Sequence, residues 1–449
     1  MLPIRPRFPA ILPLAAASVL LGSCMADPDP AERYDLLGAA MRIVQAEYVE
    51  PVGRDRLIEG AVSGMLESLD PHSSYLNEQD FSAFETEASG EFGGIGIEIG
   101  QEEDRIMVVA PIDDTPAARA GLRSGDVIVS IDGTSTAGMS LPDSVNRLRG
   151  RPGSSVMLGI LRDEAGEAFD VTLTREIIEI DPVDWRLEGN IAYIRIAMFN
   201  DRTTDDLLDA VAAIRREAAT QPAAQPAGYV LDLRDDPGGL LGQAVAVSDL
   251  FLEDGVIVSV RGRATNDVER FHALPGDVAQ GVPIVVLINS GTASASEIVA
   301  GALQDHGRAL ILGTQSFGKG SVQKIIPVLN GGALRLTTAR YYTPSGRSIQ
   351  LVGISPDVVV EGDAGRPVGD READLRNALA NDTEAPVSRQ RAGRTAGRTA
   401  GPGTPDGETD PQLETALRML RDGKVSAGTG PGMEEEAALP GYGPDTVGA

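Results

Sequence analysis

The chain has 449 residues, room for two or three domains, and its 42% hydrophobic content is enough for real cores. A formal net charge of −27 and a pI near 4.5 argue against nucleic acid as a partner and leave no polybasic patch for a membrane. A single cysteine, Cys24, excludes an intrachain disulfide, and only three histidines exist, His72, His272 and His306, in far-separated segments. No metal or other cofactor is therefore expected.

Arg5 and Arg7 precede an apolar stretch over 8–21, followed by Leu21-Gly22-Ser23-Cys24. A basic start, a short apolar run and small residues at its end read as an export signal over 1–24. The run is too short for a membrane span and carries Pro9 and Pro13. Leu-Gly-Ser-Cys resembles a bacterial lipobox, with Cys24 as the lipidated first residue of the mature chain. An ordinary cleaved signal is the other reading, and both imply export. The expected location is the periplasm, with a lipid anchor at Cys24.

Residues 25–83 read as an N-terminal helical element. Leu36, Leu37, Ala40, Met41 and Val44 recur at helical spacing, as do Leu57, Ala61, Met65 and Leu69. These helices are expected to pack on the body, on an adaptor or on a second copy of the chain. Asp70-Pro71-His72 stops the second helix, because proline cannot continue it.

Over 84–176 the pattern changes to short strands and turns. Gly93-Gly94-Ile95-Gly96-Ile97 alternates glycine and isoleucine, and Gly121-Leu122-Arg123-Ser124-Gly125-Asp126-Val127-Ile128-Val129-Ser130-Ile131-Asp132-Gly133 follows a short helix. This stretch resembles a PDZ domain. The resemblance implies a backbone loop at Gly93, Gly94, Ile95, Gly96 and Ile97 that binds a peptide C-terminal carboxylate, with the peptide added as a strand.

From 177 to 361, strands at 191–197, 229–234, 283–288 and 309–313 alternate with helices, which argues for an α/β core. Residues 362–409 read as a flexible linker, with the small repeat Ala392-Gly393-Arg394-Thr395-Ala396-Gly397-Arg398-Thr399. An amphipathic helix over 410–422 follows, with Leu413, Leu417 and Leu420 on one face, and 423–449 reads as a disordered tail.

The stretch with the most chemistry is Asn289-Ser290-Gly291-Thr292-Ala293-Ser294-Ala295-Ser296-Glu297, between an apolar strand and a helix. A serine held at a helix N-terminus can present its Oγ beside backbone N–H groups that face an oxyanion. A plain helix cap is the competing reading. His306 closes the helix that Ser294 opens, roughly 18 Å away at 1.5 Å per residue, so it cannot serve Ser294. Lysine occurs only at Lys319, Lys324 and Lys424, against 36 arginines among 39 basic residues. An ammonium can lose its proton where a guanidinium cannot, and a buried lysine does so more readily. Lys319, in Ser316-Phe317-Gly318-Lys319-Gly320-Ser321, is the best candidate base, with a surface lysine in a turn as the alternative.

Three motifs complete the picture: Asp232-Leu233-Arg234-Asp235-Asp236-Pro237-Gly238-Gly239, Gly291-Thr292-Ala293-Ser294-Ala295-Ser296-Glu297-Ile298, and Gly313-Thr314-Gln315-Ser316-Phe317-Gly318-Lys319-Gly320. With Tyr342-Thr343-Pro344-Ser345-Gly346-Arg347-Ser348-Ile349-Gln350, they resemble the C-terminal processing (tail-specific) peptidases, PDZ-containing Ser-Lys serine proteases. The resemblance covers about 31–360 and the helix near 410–421. It implies a multidomain α/β fold, with a ClpP/crotonase-like protease core, an inserted PDZ domain and an N-terminal helical element. It also implies Ser294 as nucleophile, Lys319 as base and Gln323 as the group that orients the lysine. The oxyanion donors would be the N–H of Ala295 and of Gly239 or Gly238. Substrates would be proteins or peptides with free C-termini, bound by a PDZ domain that gates the site. Residues four apart on a strand lie about 13 Å apart, so the chain must bend between Lys319 and Gln323. A catalytically silent PDZ scaffold and an acyl-transfer enzyme on a crotonase-like core are the alternatives.

Overall fold

The computed structural model describes residues 30–102, 105–162, 167–220, 225–362, 371–383 and 410–425. The export signal with Cys24, the Ala392–Thr399 repeat and the tail beyond 425 lie outside them. The described residues up to Gly64 and those from Met65 onward form two compact units. The helix Pro30–Glu47 lies in the first and Arg54–Glu67 runs across the division; both match the expected helical spacing, and Leu36, Leu37, Ile43 and Val44 are exposed.

The core of the second unit is a six-stranded sheet in the order Val183–Glu188, Ile191–Ile196, Gly228–Asp232, Ile284–Ile288, Ala309–Gly313, Val358–Val359. The first pair is antiparallel and the others are parallel. Every residue of Ile284–Ile288 is buried, as an uninterrupted apolar run in a central parallel strand requires. Strand side chains alternate between faces, so this sheet builds two cores. Ile284, Val286 and Ile288 pack with residues of the helices Thr203–Ala218, Leu241–Asp249 and Ala295–Asp305. Val285 and Leu287 pack instead with Ala416, Leu417 and Leu420 of the helix Pro411–Arg421. Asp410 caps that helix by accepting the Leu413 N–H, and Pro411 occupies its first position, where no N–H is missed.

A second sheet runs Ser74–Leu76, Ala333–Tyr342, Val256–Arg261, Val268–His272, with Ser321–Pro327 also paired to Ala333–Tyr342. The PDZ region is a third sheet, built on Ile97–Glu102, Arg105–Pro111, Val127–Ile131, Ser155–Leu161 and Phe169–Thr174, around Ile106, Val108, Ile128, Leu158 and Ile160. It is inserted through a two-stranded stem in which Glu91–Gly94 pairs with Glu176–Glu179.

Two expected boundaries change. The helix Glu78–Ser89 runs across the division placed at 83/84. Asn77 caps its start and Gly90, at φ +73°, ends it, so the helix is one unit that no linker interrupts. Within the stretch read as linker, residues 371–383 are laid against the core. Glu372 is fully buried there, Arg371 donates to the Ser316 carbonyl, and Asn381 donates to the Gln350 carbonyl. Part of its polar composition serves these bonds, while Asp374, Arg376 and Asn377 stay exposed.

Candidate active site

Two turns are laced together at the ends of adjacent parallel strands. Thr292 Oγ1 donates to the Leu233 carbonyl at 2.7 Å, and Asn289 Oδ1 accepts the Asp235 N–H at 2.9 Å. The Ala293 N–H reaches the Asp236 carbonyl at 2.9 Å, and Ser296 Oγ reaches it at 3.1 Å. Gly238 completes the contact: a Cβ there would lie 2.6 Å from the Ala293 carbonyl oxygen and 2.8 Å from Ser294 Cβ. Only glycine permits this approach, and its φ of +96° also favours glycine.

Ser294 has φ +58° and ψ −114°, a conformation that costs a non-glycine residue about 1–3 kcal/mol. The strained turn starts the Ala295–Asp305 helix directly. Ser294 is 5% exposed, and its Oγ lies 2.9 Å from Tyr341 Oη. Burial pushes the Tyr341 phenol up to about 12, so it stays neutral.

The expected base and nucleophile share a buried anchor that the sequence reading missed. Glu297 is fully buried. Its Oε2 accepts the N–H of Ser294 and of Lys319, both at 2.9 Å, while its Oε1 accepts Ser316 Oγ at 2.5 Å and the Gly318 N–H at 2.8 Å. Burial pushes its carboxyl up to about 7 against these four bonds, which favour the ionised form. Glu297 stands three residues after Ser294, the capping-box spacing, and that was the available signal. Tyr341 left no local trace.

Lys319 is partly buried, with glycine on either side. A Cβ on Gly320 would sit 2.4 Å from the Gln350 nitrogen, and one on Gly318 would sit 3.0 Å from the Leu351 carbonyl carbon. Close backbone approach is therefore what those glycines permit. Burial lowers the pKa of Lys319, and the Arg335 charge lowers it further, while Glu372, Glu297 and Asp70 oppose the shift. No hydrogen bond joins Ser294 Oγ to Lys319 Nζ among the described residues. Lys324 is exposed on the Ser321–Pro327 strand. The chain bends as expected: 314–320 is irregular, and the strand that follows is bulged between Val322 and Gln323. Gln323 Nε2 donates to Ser321 Oγ at 3.0 Å and to Thr337 Oγ1 at 3.1 Å.

Of the oxyanion candidates, Gly238 has its N–H already committed to Asp236 Oδ1 at 2.8 Å. Neither the Gly239 nor the Ala295 N–H donates to a protein acceptor among the described residues. Asp236 is fully buried, its Oδ2 has no partner among the described residues, and burial pushes its carboxyl up to about 7, partly offset by the Gly238 N–H and the nearby Ser296 hydroxyl.

The five PDZ residues divide. Gly93 and Gly94 belong to the stem, opposite Ile177 and Glu176. A Cβ at Gly93 would fall 2.0 Å from the Gly150 oxygen, so that glycine serves packing. Ile95 is buried in the PDZ core, Gly96 turns at φ +74°, and Ile97 opens the strand Ile97–Glu102. That strand pairs on one side only, which leaves an edge open beside the helix Leu141–Leu148.

Comparison with known proteins agrees with this architecture. Residues 190–360 match peptidase family S41, 107–162 match a PDZ domain, and 25–80 match the N-terminal domain of the activating protease CtpB. A carboxy-terminal-processing protease of Bartonella bacilliformis is 44% identical over 420 residues, 91% of this chain and 93% of that one. This chain belongs to the C-terminal processing peptidases of family S41. The carboxy-terminal processing protease CtpA of Bacillus subtilis is 33% identical over 331 residues, 73% of this chain and 69% of its own length. Among solved structures, the photosystem II D1 C-terminal processing protease is 31% identical, with a TM-score of 0.43 over 73% of this chain and 92% of that one. In this S41 peptidase, then, the strand-to-helix turn at Ser294, the loop at Lys319 and the Asp235–Gly239 turn converge through Glu297 and Asp236.

Proposed function

We propose that this peptidase cleaves exported protein chains at or near their C-termini, with Ser294 as nucleophile and Lys319 as general base. The observation that carries the reading is the Glu297 carboxylate, which holds the Ser294 and Lys319 backbones on one oxygen atom. Lys319, desolvated and therefore more readily neutral, takes the Ser294 proton as Oγ attacks the scissile carbonyl. The Oγ turns from Tyr341 toward Lys319 to do so. The oxyanion is stabilised by the N–H groups of Gly239 and Ala295, which have no protein acceptor among the described residues. Lys319 then protonates the departing amine, and water releases the acyl group. Gln323 orients the Lys319 amine. The substrate C-terminus adds to the open edge at Ile97–Glu102, with its carboxylate on the backbone of 95–97, and the two-stranded stem lets this event gate the site. Export with lipidation at Cys24 would bring the enzyme to its substrates. The deciding experiment is cleavage of a protein with an apolar C-terminus by the wild type, Ser294→Ala and Lys319→Ala. Loss of cleavage in both variants is expected, and equal cleavage by all three would remove the dyad.

A further inference from the structure

Resting on the assignment of Gln323 as the group that orients Lys319, we propose that Asp70 and Thr337 are positioning residues that fix which end of the Gln323 amide faces the lysine. The argument is one of donors and acceptors. Asp70 is 4% exposed. Its Oδ1 accepts the N–H of His72 at 2.9 Å, the N–H of Ser73 at 3.0 Å and Thr337 Oγ1 at 3.0 Å, and its Oδ2 accepts Ser73 Oγ at 2.7 Å. Burial opposes the charge, but these bonds together hold the carboxyl below its ordinary value, so Asp70 is ionised and only accepts.

A threonine hydroxyl has one proton. The Thr337 proton goes to Asp70, so toward Gln323 the same oxygen can only accept. The atom 3.1 Å from it must therefore be the amide nitrogen Nε2, and Ser321 Oγ accepts from that nitrogen as well. Both amide protons are thereby engaged, and Oε1 is left without a partner among the described residues. The backbone enforces the alignment. Gln323 stands directly across from Thr337 in the paired strands, and the Thr337 N–H is itself tied to Ser73 Oγ at 3.1 Å.

The orientation matters for the base. A neutral lysine amine has one lone pair and two protons. Among the described residues no hydrogen bond joins Gln323 to Lys319 in the resting arrangement; once the amine meets Oε1, the amide takes an amine proton and leaves the lone pair for the Ser294 hydroxyl. A reversed amide would donate an N–H into that lone pair and compete with Ser294 for it. The Asp70-Pro71-His72 turn, whose sequence signals only a helix stop, thus acts on the chemistry through two intervening side chains.

The test compares kcat and KM on a peptide with an apolar C-terminus for the wild type, Thr337→Val, Thr337→Ser, Asp70→Asn, Gln323→Ala and the Gln323→Ala/Thr337→Val double variant, each with its thermal unfolding recorded. Loss of one such orienting bond predicts that Thr337→Val lowers kcat about tenfold with KM within about twofold. Thr337→Ser, which keeps the hydroxyl, stays within about twofold of wild type, and Asp70→Asn falls in the same direction as Thr337→Val. In the Gln323→Ala background the valine substitution adds less than about twofold, because the group it orients is gone. A wild-type kcat in Thr337→Val, or an equal loss with and without Gln323, overturns the relay while leaving the Gln323 assignment in place. A wild-type kcat in Gln323→Ala overturns that assignment and the relay with it. Should the valine variant fail to fold, Asp70→Asn against Gln323→Ala supplies the same comparison.

Discussion

Asp236 makes a prediction that separates the stability of the site from its chemistry. Its carboxyl is fully buried, one oxygen accepts the Gly238 N–H, and the other has no partner among the described residues. The folded pKa is pushed from an ordinary 3.8 up to about 7. A group whose folded pKa is raised contributes stability that is full below its unfolded pKa and is lost as pH rises through the folded value. Between pH 5 and pH 8.5, Asp236 titrates in the fold but is already ionised in the unfolded chain. The difference of roughly two pH units, at about 1.4 kcal/mol each, is about 3 kcal/mol lost on raising the pH. Asp236→Asn keeps the acceptor for Gly238 and removes the titration, though its amide N–H2 would replace the unpartnered oxygen at a cost of about 1–3 kcal/mol. The variant should therefore be equal to or less stable than wild type at pH 5 and gain on it by about 3 kcal/mol at pH 8.5, which is roughly 3–4 °C in relative midpoint for a chain of this length. Thermal unfolding of both proteins across pH 4–9 reads this directly. Glu297, also pushed up to about 7, contributes the same sign in both proteins and cancels in the comparison. Parallel profiles for the two proteins would show that the Asp236 carboxylate is compensated in some other way, and the argument from its burial would fail.

Three further outcomes follow from the same geometry. Tyr341→Phe frees Ser294 Oγ from its neutral partner, and with a net hydrogen bond of about 0.5–1.5 kcal/mol, kcat on a peptide should rise by roughly 2–10-fold; a fall beyond tenfold would make the phenol part of the reaction. The alkaline-rising limb of kcat/KM should lie below the ordinary lysine value of 10.5, and Arg335→Gln should move it upward, because the Arg335 charge helps lower the Lys319 pKa; an unmoved limb would mean another group sets it. Asp410→Ala removes a two-point contact to the Arg234 guanidinium, at 2.9 and 2.8 Å, together with the cap on the Pro411–Arg421 helix. Asp410 is partly exposed, so the loss should be about 2–4 kcal/mol in apparent stability, and a change under about 0.5 kcal/mol would show that Arg234 is held by Asp232 alone.

Much of the architecture was legible in the chain because it rests on local periodicity. The apolar run 283–288 reads as a buried strand, Leu413, Leu417 and Leu420 read as one helical face, and the structure places both so. Elements without such patterns were missed. Val268–His272 is an exposed hairpin partner, and Ser321–Pro327 has its register interrupted by a bulge, so neither shows a clean alternation. The Gly93–Ile97 stretch reads as one motif in sequence, but pairing with Ile177 and Glu176 assigns its first two glycines to the stem.

For the site, sequence alone determined the residue types and their order: a serine between two alanines at a strand-to-helix turn, His306 a helix length away from it, and a lysine kept among arginines with glycine on either side. These are properties of the chain itself, since backbone freedom and side-chain chemistry travel with each residue. What tertiary structure decided is which atoms are committed. Glu297 lies near Ser294 in sequence, but its bonds to 316–319 exist only after the strand Ala309–Gly313 brings that loop back. Asp236 Oδ1 takes the Gly238 N–H, and among the described residues the Gly239 N–H has no protein acceptor. The direction of the Gln323 amide depends on Asp70 and Thr337, which lie 253 and 14 residues away (323 − 70 and 337 − 323). A hydrogen bond is a property of a pair, and only the folded chain settles the pairs.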